Sequence, residues 1–263
     1  RRRRSRGNAA GRSRGNAAGR SRGNVPWHDA PMTARLDLEN ANITSWVTCG
    51  TAENGRLRLD ASAFFPGGGG QPADTGRVRW PGGEASVATV SVDGGDVLIE
   101  VDADVPDGVH VLECALDAPR RRLLMRTHTA FHILSAVLGE HGSQVTGCSL
   151  EPGRARGDFT GIDAATARDA VERADALASE GHAVRIELRP REEFEADPGL
   201  VRLAADLVPD VDPVRLVTIE GVDRQADGGT HVSNTAEIGR IVFEKFENKG
   251  SRNKRITFSV RDA

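Results

Sequence analysis

Between Thr33 and Ala118 apolar and polar residues alternate in short runs broken by turn residues. A period of two puts one face of each run in a core and the other in water. It predicts strands at Arg56–Asp60, Val78–Trp80, Ala85–Val92, Asp96–Val101 and Val109–Leu112. Pro81-Gly82-Gly83, Asp93-Gly94-Gly95 and Pro106-Asp107-Gly108 supply turns between them. Strands at such regular spacing predict a small barrel or sandwich. Pro119 with Arg120-Arg121-Arg122 reads as a boundary, and the period then changes. Leu124, Phe131, Ile133, Leu134, Val137 and Leu138 recur at helical spacing over Leu123–Leu138, with Gly139 to end the helix. Ala164–Ser179 is an Ala-rich amphipathic helix with Asp163 as its N-cap. Ala183–Leu188 alternates like a strand and stops at Pro190, and Val214–Glu220 is another. Arg191–Ala196 and Gly199–Leu207 read as short helices or turns. Arg240–Phe246 and Lys254–Val260 read as two strands joined by the basic turn Glu247–Asn253. The fold class is therefore α+β: a β domain over 32–118 and an α+β domain over 119–263.

Upstream of Met32 the pattern disappears. Arg4–Gly11 repeats as Arg12–Gly19 and in part as Arg20–Asn24, with no large apolar residue, so residues 1–31 are expected to be disordered. Such a tail reads either as an RNA-binding arm or as an over-extended reading frame before a start at Met32; we adopt the second. Separating it changes the charge. The whole chain is −3, but residues 1–31 hold nine arginines and one acid, so the rest carries 26 basic against 37 acidic residues, or −11. Only three lysines are present: Lys245, Lys249 and Lys254. An acidic, lysine-poor surface suits a high-salt cytoplasm, and a high-GC genome would also exchange Lys for Arg. No apolar run is long enough to cross a membrane and no signal segment is evident, so a cytosolic location is expected. Cys49, Cys114 and Cys148 are odd in number and widely spaced, which argues against a disulfide scaffold.

Three motifs carry chemistry. His128 and His132 lie four apart on one helix face, close enough to share a metal ion or simply to be polar helix positions. Asp227-Gly228-Gly229-Thr230-His231 alone reads as a tight turn; with the first pair it offers three imidazoles and a carboxylate for a first-row metal, zinc foremost. Phe64-Phe65-Pro66-Gly67-Gly68-Gly69-Gly70-Gln71-Pro72 is a flexible hairpin, a phosphate cradle or a backbone packed against a neighbour. It is not a P-loop, because no Gly-Lys-Ser/Thr follows.

Together and in order, these motifs resemble the freestanding alanyl-tRNA editing proteins, which share their fold with the editing domain of alanyl-tRNA synthetase. The resemblance runs from about Thr33 to Val260. It rests on Ala63–Gly76, Arg126–Leu134 and Asp227–Val232, supported by Arg154–Phe159, Asn234–Gly239, Glu247–Gly250 and Asn253–Arg255. It implies a β-barrel-like N-terminal domain and a zinc-bearing editing domain related to one in threonyl-tRNA synthetase. The implied activity is hydrolysis of the ester joining a wrong amino acid, serine and in some cases glycine, to tRNA(Ala). His128, His132 and His231 match the family's zinc histidines, for one zinc per chain. The position of Asp227 often holds cysteine in the family; here a carboxylate, a harder donor, either ligates the metal or hydrogen-bonds a water that does.

The resemblance and the residues together give the expected site. Catalysis falls to His128, His132, Thr127 and Gln144, the last in a segment resembling one with a functional glutamine in the family. Substrate binding falls to Gly69, Gly70, Gln71, Thr129, Gly228, Gly229 and Thr230. Thr127, Thr129, Gln144 and Thr230 are candidates to hydrogen-bond the serine hydroxyl, which a pocket shaped for alanine rejects poorly. No GxSxG elbow is present, so an acyl-enzyme is not expected. No protein partner and no membrane is called for. Two rival readings are a metal-dependent hydrolase of a small ester or amide, and a non-catalytic tRNA-binding module. All three lysines gather in one hairpin with Arg252 and Arg255, which points to tRNA phosphates; Arg120, Arg121 and Arg122 form a second basic cluster. Neutralising Lys249, Arg252, Lys254 and Arg255 is expected to weaken tRNA binding and flatten its salt dependence in a titration series. Unchanged affinity and slope would contradict this.

Overall fold

The computed structural model describes residues 32–196, 213–250 and 253–263. The Arg-rich repeat, the predicted segment Gly199–Leu207 and Arg252 lie outside the described residues. The first half opens with β1 (Ala34–Arg35) and a one-turn helix α1 (Leu36–Glu39). There follow β2 (Ser45–Glu53), β3 (Arg56–Leu59), β4 (Ala61–Ser62), β5 (Gly76–Trp80), β6 (Gly83–Asp93), β7 (Asp96–Val101) and β8 (Gly108–Leu116). Six of these close into an antiparallel barrel in the order β2-β3-β7-β6-β5-β8, while β1 pairs in parallel with β4. Of barrel and sandwich, the chain forms the barrel. Its interior holds Leu57, Leu59, Phe64, Val78, Trp80, Val97, Ile99 and Leu112. Alternation located most of these strands, but β2 escaped it because its pattern is inverted. Thr48, Gly50 and Ala52 face inward while Val47 and Cys49 are exposed.

The second half begins with α2 (Ala118–Gly139), five residues earlier than the periodicity suggests. The last barrel strand ends at Leu116 and the arginine run lies inside the helix that follows. Asp117 caps the helix by accepting from the Arg120 amide, and Pro119 sits in the first turn, where its missing N–H has no helical partner to lose. Next come β9 (Val145–Glu151), β10 (Arg154–Phe159), α3 (Ala164–Ser179), β11 (Val184–Arg189), α4 (Arg191–Glu195), β12 (Val214–Ile219), β13 (Asp223–Ala226), β14 (Arg240–Asn248) and β15 (Lys254–Arg261). Asp163 caps α3 as expected. The strands form one sheet in the order β14-β15-β10-β9 and another in the order β11-β12-β13. The aliphatic face of α2 (Ile133, Leu134, Val137, Leu138) packs with α3 and with Phe159, Ile256 and Phe258 of the larger sheet. The α+β class holds, with barrel, mixed architecture and few helices.

One buried ion pair ties α2 to the barrel. Arg121 and Asp74 each retain 2% side-chain exposure. Arg121 Nε donates to both Asp74 oxygens at 3.0 and 3.1 Å, and its Nη2 also reaches Asp74. The remaining donors go to the carbonyls of Ala41 (2.9 Å) and Ala63 (2.7 Å). Asp74 in turn accepts from the Phe65 amide at 2.7 Å, closing the stem of the glycine loop. A planar guanidinium satisfied on all sides can be buried; one stripped of its carboxylate cannot. Asp74→Ala is therefore expected to lower unfolding stability by about 3–5 kcal/mol, measured by urea denaturation. A loss under about 1 kcal/mol, the level of a surface pair, would contradict the assignment.

Candidate functional site

Helical pitch places His128 and His132 one turn apart on α2, both buried. Opposite them runs the loop that follows β13. Its first residue is pinned by strand β12: Arg215 Nη1 donates to the Asp227 carbonyl at 2.7 Å, and the Asp227 amide donates to the Arg215 carbonyl at 3.1 Å. Gly229 is required for close approach, since a Cβ there would overlap the His128 ring. Its amide donates to Asp227 Oδ1 at 2.5 Å, turning the carboxylate toward the histidines. Gly228 faces open space.

The result is one cluster. His128, His132, Asp227 and His231 each offer a ligand atom, all within 4.8 Å of one another. His128 Nε2 and His132 Nε2 lie 3.4 and 3.6 Å from Asp227 Oδ2, and His231 Nε2 lies 3.2 Å from Oδ1. All three rings thus present the same nitrogen to one carboxylate, with ring centroids 4.4–5.1 Å apart.

Each ring is held by its other nitrogen. His128 Nδ1 meets Gln71 Oε1 at 2.9 Å. His132 Nδ1 meets Asp223 Oδ2 at 3.1 Å and Gln225 Nε2 at 2.8 Å. His231 Nδ1 meets Thr129 Oγ1 at 3.2 Å. Gln71 arrives from the barrel. Gly67, Gly68, Gly69 and Gly70 all take positive φ (88°, 134°, 57° and 86°), a region open to glycine and not to four successive L side chains. The loop lies against β9: the Leu150 amide donates to the Gly70 carbonyl at 2.9 Å, Cys148 Sγ to the Gly69 carbonyl at 3.1 Å, and a Cβ on Gly70 would collide with Cys148. Of the three roles open to this loop, the structure shows backbone packing.

The charges explain why such a cluster is unusual. Burial pushes the Asp227 carboxyl up, but the surrounding imidazoles, His128 foremost, hold it well below the usual range. Burial and the neighbouring His128 charge drive His231 well below the ordinary histidine value. Burial opposes a proton on His132 too, yet Asp223 and Asp227 outweigh it and raise its pKa to about 9. Three imidazoles compete for the field of one carboxylate. Imidazole nitrogens and a carboxylate oxygen converging in a buried site, each ring oriented from behind, fit a divalent first-row metal ion. Cys148 lies close enough to feel Asp227, but burial foremost pushes its thiol up to about 11, so it remains a neutral hydrogen-bond donor.

The other expected site residues fall differently. Thr129 and Thr230 reach the cluster's surroundings, and Thr230 is bonded to Gln71 through both its hydroxyl (2.9 Å) and its amide (3.1 Å). Thr127 is not brought to the cluster: its hydroxyl donates to the Leu123 carbonyl and accepts from Gly153. Gln144 is exposed beside β9, and its backbone pairs with Thr160. In the basic hairpin Lys249 is exposed beside Glu247, Lys254 bonds Asn248 and Gly250, and Arg255 is engaged by Asp158 at 2.7 Å. The second basic cluster does not form one exposed patch: Arg121 is buried, the half-buried Arg120 donates to the Ala73 carbonyl, and the exposed Arg122 pairs with Glu237. Sequence reasoning missed Arg215, Asp223 and Gln225. Their signal was a charge inside the apolar run of β12 and a polar strand just before the glycine pair.

Beside the cluster, Phe65, Pro66, Gly67–Gly69, Leu188, Val214, Arg215 and Asp227–Gly229 line a cleft of about 730 Å³. No helix among the described residues is long and apolar enough to cross a membrane.

Residues 214–257, which include half of this cluster, match the family model described as the threonyl and alanyl tRNA synthetase second additional domain. The chain is 37% identical over 213 residues to the alanyl-tRNA editing protein AlaX-M of Saccharolobus solfataricus, covering 80% of this chain and 90% of that protein. It is 36% identical over 216 residues to AlaX-M of Methanosarcina mazei, covering 78% and 86%. The alanine–tRNA ligase of Korarchaeum cryptofilum is 37% identical over 197 residues, 72% of this chain but 22% of the ligase. Similarity therefore spans barrel and α+β half alike and extends over nearly the whole of the shorter relatives, and the chain belongs to the family of alanyl-tRNA editing proteins.

Proposed function

We propose that this chain is a trans-acting deacylase that hydrolyses the aminoacyl ester of mischarged tRNA(Ala), with Ser-tRNA(Ala) the principal substrate and Gly-tRNA(Ala) a second, at one zinc ion held by His128, His132, Asp227 and His231. The observation that carries this reading is the four-donor cluster, in a chain of this family. A zinc ion supplies Lewis acidity toward an ester carbonyl and lowers the pKa of water. The chain's own residues supply orientation. Gln71, Asp223, Gln225 and Thr129 hold the three rings, while Arg215 and the Gly229 amide hold Asp227. The largely apolar walls of the adjoining cleft suit the 3′ end of a tRNA. For the serine hydroxyl, Thr230 is the favoured donor: its oxygen accepts from Gln71 and keeps its own proton to give. Lys249 and Lys254, on the β14–β15 hairpin, are the favoured phosphate contacts: Lys249 is exposed with Glu247 as a surface partner and Lys254 bonds neutral oxygens, whereas Arg255 is half-buried against Asp158.

The decisive assay is deacylation of Ser-, Gly- and Ala-tRNA(Ala) in the presence of zinc, at low and high salt. The seryl and glycyl esters are expected to be cleaved and the alanyl ester spared. His128→Ala is expected to lower the rate by at least about 100-fold, beyond the ~10–100-fold typical of losing a residue behind a ligand. Survival of all three esters with the wild-type chain at either salt would overturn the function. Full activity in His128→Ala would overturn the site.

A further inference from the structure

Gln71 makes three hydrogen bonds in a site where it is almost fully buried, and their directions leave no choice of orientation. The Thr230 backbone N–H can only donate, so the Gln71 atom facing it at 3.1 Å is the carbonyl Oε1, and the amide nitrogen faces Thr230 Oγ1 at 2.9 Å. That same Oε1 lies 2.9 Å from His128 Nδ1. An oxygen accepts, so Nδ1 carries the hydrogen. In the neutral ring the lone pair then sits on Nε2, the nitrogen that faces Asp227 and the other two histidines. The loop bearing Gln71 is fixed at its stem by Asp74 and Arg121 and along its glycines by Cys148 at Gly69 and Leu150 at Gly70.

We propose that Gln71 is the positioning residue for His128: it selects the ring tautomer that presents Nε2, so that the barrel completes a metal centre whose four donors all come from the α+β half. The inference rests on the metal reading above for its consequence, and on hydrogen-bond direction alone for its cause. The glycine loop is then part of the metal site's scaffold, and its four glycines are there to bring one amide across to the helix.

Two measurements on the full chain test it, with Gln71→Met (similar shape, no acceptor) and Gln71→Glu (acceptor kept). The first is the ¹⁵N spectrum of the histidine rings in metal-free protein, at alkaline pH where they are neutral. The second is zinc affinity by chelator competition. Wild type and Gln71→Glu are expected to show His128 protonated on Nδ1, and Gln71→Met to lose that preference. Zinc binding in Gln71→Met is expected to fall about 10–100-fold and to recover in Gln71→Glu. A merely structural glutamine would instead make the buried carboxylate the worse variant and leave the tautomer alone. Wild-type tautomer and zinc affinity in Gln71→Met overturn the proposal. If Gln71→Met does not fold, Gly70→Ala, which pushes the loop off Cys148, takes its place, and unchanged zinc affinity there overturns it equally. Should wild type bind no zinc, the metal reading fails, and the His128 tautomer alone still decides the role of Gln71.

Discussion

Everything in this molecule near the two glycines of the Asp227 loop answers to one electrostatic constraint: a buried carboxylate is surrounded by three buried imidazoles. Left to protons alone, the four groups cannot all be comfortable. Asp227 is held ionised, His231 is denied a proton, and His132 is made to keep one. A cation in their midst would remove the conflict, because each ring could then be neutral and point a lone pair inward. The surrounding structure is arranged for that state. Partners sit behind all three rings, Arg215 grips the backbone of Asp227, and Gly229 gives up a side chain so that its backbone can reach His128.

The same constraint gives the barrel its relation to the site. Its glycine loop crosses onto β9 and inserts Gln71 behind His128, while Arg121, in the first turn of the helix that carries His128 and His132, is buried against Asp74 at the loop's stem. Helix and loop are therefore referenced to each other twice. A family in which both halves align with relatives of similar length is consistent with that dependence.

Much of this was legible in the residues. Regular alternation located β6 and β7, helical spacing located α3 with its cap, and the paired motifs located the four-donor cluster. What escaped did so for physical reasons. β2 carries small and polar residues inward, so its pattern reads backward. β13 is polar yet buried, because Asp223 and Gln225 serve the cluster and not a hydrophobic core; local rules fail most where a site overrides them. The first turn of α2 read as a boundary ahead of the helix because the arginines interrupt the apolar period, and only a partner 47 residues away explains the burial of Arg121. Gln71 and His128 are separated by 57 residues, and no spacing rule connects them. Gln144 and Thr127 drew attention by resemblance and by proximity in sequence, but neighbours on a helix or strand do not share a direction.

The central proposal is that His128, His132, Asp227 and His231 would hold a metal through nitrogen and oxygen donors alone. X-ray absorption at the zinc edge on the zinc-loaded full chain tests it most directly. The account predicts a shell of light donors at roughly 2.0–2.2 Å with imidazole scattering beyond it, and no sulfur. A sulfur scatterer near ~2.3 Å, drawn from Cys148 or another thiol, or zinc coordinated by water alone, would contradict it.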